Sequence, residues 1–469
     1  MYNLEIGRRV LALYNEDEPR KLSAKEFFDE VMFPDFFNIE EDSLHLLQVS
    51  NSSFFQAFSE KARKNGRVLG AHKYERHQEW VADVEKGKKS ISGSIAVGYP
   101  ASGPAENTAG QVSNIKQRLD AESITLTWIG AACGVGLEGG TNILIDNAQI
   151  LKHLLRGWPY YRRFLEENTT FKGRQLETWN GLWLVYGFGA ADPEESYRRV
   201  LDKLPEHQGL TAKKESNLAE RPDWFRMFFT LAQNGSLPEK MQAYAYKYGS
   251  MNTTLGFLSI ELTPLKSLSE IFRKLLNETY PDQYSQPESQ AEFRKIFKAH
   301  YSLADMVALG GISMRTLRPA KVDAFMKANK PQKTDDNPFY PLLIKSWIIA
   351  MLNNDELADL ARDLGLALRD IETNSRETAT TKIETLLNAG SKTSFIIAAN
   401  DLKEHKGIID AKDAAKKEAL DAAVQVLKKA EDAAQRQIPT DQLPLFRALA
   451  KSDYLMAKHF PARQATLLS

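Results

Sequence analysis

The residues best spaced for phosphate chemistry are Gly134-Val-Gly136-Leu-Glu-Gly139, a literal G-x-G-x-x-G that follows the apolar run 123–133. After a strand and before a helix, such glycines let a pyrophosphate approach the amide N–H groups at a helix N-terminus. The acidic residue that would hold a ribose is missing at the required distance, because Glu166 and Glu167 lie inside a helical pattern. A dinucleotide-binding enzyme built on this turn is therefore an alternative reading. The main expectation is a glycine turn through Gly134, Gly136, Gly139 and Gly140 that brings backbone close to another backbone or to a nucleic acid.

A second chemistry is polyanion binding. The stretch 86–118 is polar and punctuated by Gly93, Gly98, Gly103 and Gly110, with Pro100 and Pro104 opposing helix. It predicts a long loop or ragged hairpin whose lysines neutralise phosphates and whose asparagines reach base edges. Lys88, Lys89, Asn107, Thr108, Asn114 and Lys116 are the candidate DNA contacts. Over 152–174, Lys152, Arg156, Arg162, Arg163, Lys172 and Arg174 interleave with Trp158, Tyr160, Tyr161, Phe164 and Phe171. That pattern suits stacked single-stranded bases, or else an amphipathic helix with its rings in the core.

Other chemistries find little support. His72 and His77 lack zinc-ligand spacing, and no G-x-x-x-x-G-K-[ST], H-E-x-x-H or G-x-S-x-G occurs. Pro281-Asp282 with Glu292 and Lys295 lacks the Glu-x-Lys of a nuclease. Cys133 is the sole cysteine, which excludes internal disulfides and multi-thiolate zinc, and no cofactor or metal is expected.

The elements that must position these residues follow from pattern. The chain has 469 residues, 43% hydrophobic and 26% charged, with no net charge, which is a globular composition sufficient for about three domains. Its charges segregate. Acids dominate from Glu16 to Asp42, bases from Arg294 to Lys333, and a further basic run covers 61–89. Local fields of this kind steer a polyanion even on a neutral molecule. The N-terminus does not read as a signal peptide, and no uncharged run of about 18 apolar residues would span a membrane, so a cytoplasmic location is expected.

An opening helix leads to Ser23 and Glu26, spaced as a capping box, and to phenylalanine pairs at 27–28, 36–37 and 54–55 that read as core. The run 123–133 reads as a buried strand and 175–188 as a strand or hairpin, with a helix over 145–167 between them. Beyond 192 the chain reads as mainly helical. Leu357, Ala361, Leu364, Leu368 and Ile371, and then Leu420, Ala423, Val424, Leu427, Ala430 and Ala434, form narrow apolar stripes that must pack as a bundle. Between them lie helices through 381–387 and 394–402, and a last one covers 444–458. The expected fold is α+β: a mixed domain over 1–190, a mainly helical region over 191–330, and a helical bundle over 331–469 entered by a linker at 328–338.

Three of these features together resemble the large subunit of the type I CRISPR Cascade effector, closest to subtype B forms. They are the turn from Gly134 to Thr141 after an apolar run, the C-terminal bundle beyond a hydrophilic linker, and the helix–turn–helix stretch KIETLLNAGSKTSFIIAAND over 382–401. The resemblance implies a protein without bond-making chemistry. It would recognise a short duplex motif (the PAM), help open the DNA, stabilise the displaced strand of the R-loop, and recruit a helicase–nuclease in trans. Its partners would be the guide RNA and other Cascade subunits, double-stranded DNA and displaced single-stranded DNA, with no membrane. The zinc-binding cysteines of some members are absent here. The duplex contacts would be Lys88, Lys89, Asn107, Thr108, Asn114 and Lys116, and those to the displaced strand Arg294, Lys295, Lys298, Arg315 and Arg318. Met326 is the expected internal start of a separately made bundle. A helical scaffold that touches no nucleic acid is the remaining alternative.

Overall fold

The computed structural model describes residues 2–37, 45–47, 69–99, 119–168, 171, 173–204, 220–247, 253–279, 302–319, 321–328, 340–375, 378–409 and 413–459. These are mostly helical, with one antiparallel sheet, so the fold is α+β. The chain divides into two compact units, one of residues 1–262 with 302–312 and one of 263–301 with 313–469. Among the described residues no helix is long and apolar enough to cross a membrane.

The first unit begins with helix α1 (Tyr2–Asp17), as expected. Past it, Ser23 and Glu26 form the capping box: the Ser23 hydroxyl accepts from the Glu26 amide, and the Glu26 carboxylate accepts from the Ser23 amide. Phe27, Phe28, Phe36 and Phe37 are all buried, which bears out the core reading. Phe54 and Phe55 lie outside the described residues. Helix α2 (Leu69–Glu85) sets His77 between Phe28 and Trp128.

The run 123–133 is not a strand. It forms helix α3 (Ala121–Ala131), started by Asp120, whose side chain accepts from the Ser123 amide. Every residue from Ile124 to Ala131 is buried, so the run lacks the polar face that would reveal its period, and buried helix and buried strand look alike in sequence. α1 crosses it at glycine on glycine, where a Cβ on Gly130 would come within 2.8 Å of the Gly7 nitrogen. The described part of the glycine-rich loop is anchored on α3. Trp128 Nε1 donates to the Ile95 carbonyl at 2.7 Å, and Thr127 Oγ1 accepts from the Val97 amide at 2.9 Å.

Strands β1 (Val135–Leu137) and β2 (Thr141–Ile145) form a hairpin, followed by helix α4 (Ala148–Glu167), which confirms the helix expected there. Residues 175–188 are helical too, as α5 (Leu176–Leu182) and a wide turn over Trp183–Gly187. Trp179 and Trp183, four apart, stack on Tyr161 and Tyr160 of α4 at 5.1 and 5.4 Å. Helical spacing sets Trp179 and Trp183 one turn apart, with ring centroids 5.8 Å from each other, whereas in a strand the same pair would share a face but stand about 13 Å apart.

Helices α6 (Pro193–Leu201) and α7 (Trp224–Ala232) lead to β3 (Lys240–Lys247) and β4 (Thr253–Glu261). The region expected to be mainly helical thus contains half of the sheet. The order is β1-β2-β3-β4, all antiparallel, with Ile143 opposite Ala245 and Tyr244 opposite Phe257. β2 pairs with β3, so the sheet runs across the boundary expected near residue 190.

The second unit holds helix α8 (Leu262–Thr279), apart from its first residue, and the bundle; the short helix α9 (Leu303–Ala308) belongs to the first unit. The bundle helices are α10 (Tyr340–Leu352), α11 (Asp355–Asn374), α12 (Thr380–Leu387), α13 (Lys392–Lys403), α14 (Ala414–Arg436) and α15 (Leu443–His459). Both apolar stripes face inward, with only Val424 half-buried. α11 packs on α14 and α15. Its Gly365 lets α15 approach so closely that a Cβ would meet the Tyr454 nitrogen at 2.9 Å. Lys345 and Asp453, both largely buried, pair at 2.6 Å across α10 and α15. Met326 sits in the short helix Val322–Lys327, and beyond Ala328 the expected linker lies outside the described residues.

Candidate functional site

The glycine motif is a hairpin, not a phosphate cradle. Residues 138–140 turn β1 into antiparallel β2, with Gly139 and Gly140 at φ +74° and +71°, the left-handed region that glycine enters without strain. No helix N-terminus follows the turn, so the dinucleotide reading loses the amide groups it needs. Gly134 and Gly136 serve close packing. A Cβ on Gly134 would meet the Tyr246 hydroxyl at 2.6 Å, and one on Gly136 the Glu177 carbonyl at 2.8 Å.

That close approach builds a buried polar cluster over one face of β1 and β2. Arg221 donates from Nε to Thr178 Oγ1 at 3.0 Å and from Nη1 to Asn142 Oδ1 at 2.9 Å. Asn180 donates to the carbonyls of Ala132 and Gly134, both at 2.8 Å. Glu177 is buried, and desolvation pushes its carboxyl above the usual range, with the Arg221 charge opposing. The Asn142 amide nitrogen and the Asn180 amide oxygen are buried with no hydrogen-bond partner among the described residues. Neither amide can be flipped to advantage, since Asn142 Oδ1 and Asn180 Nδ2 are already engaged. The cluster ties α5 to the hairpin.

The same sheet face continues across β3 and β4, where Gln242, Tyr244 and Tyr246 alternate with inward Ala243 and Ala245. Here rings come to the surface. Tyr2, Tyr244 and Phe257 form a mutual triad with centroids 5.3, 5.6 and 5.5 Å apart, and Phe257 is 60% exposed. Tyr246, 6.3 Å from Tyr244, is buried and leads back toward Gly134 and the polar cluster. Gln242 opposite Ser259, and Thr254 at 3.0 Å from the Tyr244 hydroxyl, flank the rings with polar groups. The Tyr2 phenol is pushed up to about 12, by burial first and then by Asp146, so it stays a neutral hydroxyl at physiological pH. The triad was not among the sequence candidates. The signal was Ala-Tyr-Ala-Tyr over 243–246, a period of two inside a segment read as helical.

The other rings-and-bases segment, 152–174, is resolved in favour of the core. Trp158, Tyr161, Phe164 and Phe171 are buried. Lys152 pairs with Asp17 at 2.9 Å, Arg163 with Glu167 and Glu194, and the buried Arg162 donates to the Asp35 carbonyl. Lys152 and Arg163 are thus offset by carboxylates, and the four buried rings cannot stack on a ligand, while the half-buried Tyr160 stacks on Trp183.

Of the expected DNA contacts, Lys88 is exposed at the end of α2. Lys89 lies 3.3 Å from Asp83 and 5.2 Å from the Trp80 ring centroid. Asn107, Thr108, Asn114 and Lys116 lie outside the described residues, as do Arg294, Lys295 and Lys298. Arg315 is exposed, and Arg318 pairs with Asp323 at 2.7 Å, so one member of that basic run is offset locally. The structure places Lys88 and Lys89 in the first unit and Arg315 and Arg318 in the second. His77 is buried against rings, and no group of three or more His, Cys, Asp or Glu side chains able to hold a metal occurs among the described residues.

Set beside known proteins, the chain matches no protein family, no curated protein and no solved structure.

Proposed function

We propose that the protein is a nucleic-acid-binding assembly subunit acting as the large subunit of a Cascade-like, RNA-guided complex. In this role it reads a duplex motif, helps to open the DNA, holds the displaced strand and recruits a helicase–nuclease, in the cytoplasm and beside guide-RNA-bearing subunits. The observation that carries the nucleic-acid part is the Tyr2–Tyr244–Phe257 triad on an open antiparallel sheet face, flanked by Gln242 and Ser259. Phe257 leaves most of its ring in solvent beside the half-buried Tyr2 and Tyr244, and an unpaired base stacked on it would cover that surface. An α+β body with a separate C-terminal helical bundle accords with the resemblance in architecture, and exposed Lys88 and Arg315 supply phosphate-neutralising charge.

The test is binding of a labelled single-stranded oligonucleotide to the full chain and to Phe257→Ala and Tyr244→Ala variants, over a salt series. Each stacked base is worth about 1–3 kcal/mol, so each variant should bind about 5- to 150-fold more weakly, with thermal stability nearly unchanged for the exposed Phe257. Variants that bind as tightly as the parent would remove the triad from the interface. A parent chain that binds no oligonucleotide, alone or in its assembled complex, would remove the function.

A further inference from the structure

The aromatic triad is edged by a row of polar side chains for which base stacking alone has no use. On β3, Gln242 stands two residues from Tyr244 and so projects to the same face. Its partner on β4 is Ser259, as Phe257 is the partner of Tyr244. On the other side the chain leaves β2 at Asp146, whose amide donates to the Gln242 carbonyl at 3.2 Å and carries the pairing one residue further. Asp146, Gln242 and Ser259 thus form one row across the sheet, and Leu144, Tyr244 and Phe257 the next. Two residues of strand, about 6.5 Å, separate the rows, close to the span from the middle of a stacked base through its edge to a hydrogen-bonded atom.

Electrostatics puts Asp146 on the triad's side. After burial, the larger cause, its charge raises the phenol of Tyr2, whose ring packs against both Tyr244 and Phe257. Asp146 is exposed, and its carboxylate has no hydrogen-bond or ion-pair partner among the described residues. Glu261, further along β4 on the same face, is already offset by Lys240 at 3.2 Å. A free carboxylate beside a base platform repels phosphate, so a bound strand turns a base edge, not its backbone, toward Asp146. A carboxylate only accepts hydrogen bonds, through two oxygens. Guanine matches it with two adjacent donors, N1–H and the N2 amino group. Adenine and cytosine set a ring-nitrogen lone pair beside their one amino group, and thymine and uracil flank one N–H with two carbonyls, so each of these meets the carboxylate with a repulsive acceptor.

We propose that the platform selects guanine in a single strand, with Asp146 accepting from N1 and N2 and the exposed Gln242 amide donating to O6. This inference rests on the reading of the triad as a base-stacking surface and adds to it which base is held.

The experiment measures binding of the full chain to labelled thymine-rich single strands that carry one central guanine, or hypoxanthine, adenine or cytosine in its place. Hypoxanthine keeps N1–H and O6 and lacks only the N2 amino group. The guanine strand should bind tightest, about tenfold or more ahead of the hypoxanthine strand, the worth of one hydrogen bond to a charged group. Asp146→Ala should erase that difference. Because the base changes are made in the ligand, the first comparison holds whether or not the variant folds. Strands bound equally well, with Phe257→Ala weakening all of them, would overturn guanine selection and leave the stacking platform standing. A guanine preference that persists in Asp146→Ala would overturn the role given to Asp146. No binding of any strand would remove the platform itself, and this inference with it.

Discussion

His77 offers a direct measure of how firmly the aromatic core of the first unit is closed. Its ring lies flat against Phe28 at 5.6 Å and edge-on to Trp128 at 5.3 Å, and it is 1% exposed. Burial alone pulls its pKa down to about 3. The folded state therefore holds the neutral imidazole where the unfolded chain, with an ordinary histidine pKa near 6.5, takes up a proton. Its contribution is present in full above pH 6.5 and is lost as the pH falls from there toward 3. At pH 4.5 the loss amounts to about 2–3 kcal/mol, two pH units at roughly 1.4 kcal/mol each. His153, pulled down to about 4 by burial and then Arg156 against a bond to the Trp183 carbonyl, loses stability in the same direction. The buried Glu177 and half-buried Asp35 carboxyls, both raised, respond in the opposite sense. The clean measurement is thus a difference. Urea unfolding of wild type and His77→Phe at pH 7.5, 6.5, 5.5 and 4.5 should show wild-type stability falling more steeply, by about 2–3 kcal/mol at pH 4.5 relative to pH 7.5. Parallel curves would mean that the His77 site admits water or accommodates the imidazolium, and the closed-core argument would fail.

Two further substitutions probe the architecture. Gly136→Ala, whose Cβ would meet the Glu177 carbonyl at 2.8 Å, should cost about 1–3 kcal/mol of overpacking in thermal or urea unfolding. Gly139→Ala meets open space and carries only the strain of φ +74°, about 1–2 kcal/mol, so a larger loss at Gly139 would reverse the assignment of which glycine is packed. In the bundle, Leu364→Ala at a fully buried position should cost about 2–5 kcal/mol by the same measurement, and a value under about 1 would mean that α11 does not seat against α14 and α15.

The bundle was legible because its helices are amphipathic. Leu357 through Ile371 and Leu420 through Ala434 keep one face apolar and the other charged, so the helical period survives in the sequence. The capping box was legible because it is local, its partners three residues apart. The helices α3 and α5 were not, because both are buried all round. β-branched Ile124, Thr125, Thr127 and Ile129 then lean the reading toward a strand, although Asp120 ahead of the run was a start signal for helix. The sheet was underestimated for a different reason: β2 and β3 are separated by almost a hundred residues, and pairing at that range leaves no mark on either segment alone.

The site shows the same divide between composition and placement. Segment 152–174 and the strand pair 240–261 are both rich in rings with lysines at hand, and by residue type either could stack bases. What separates them is which face the backbone turns outward. On α4, the rings at Trp158, Tyr161 and Phe164 share one helix face, and that face is the core, while the cations on the other face find Asp17, Glu167 and Glu194. On β3, alternation gives alanines to the core side and Tyr244 to the open side, and the antiparallel register sets Phe257 directly opposite it. A shift of one residue between β3 and β4 would leave Tyr244 facing an inward position and bury or scatter the pair. The exposed triad thus depends on strand register, a tertiary property, and binding by Tyr244 and Phe257 variants tests that register together with the ligand it presents.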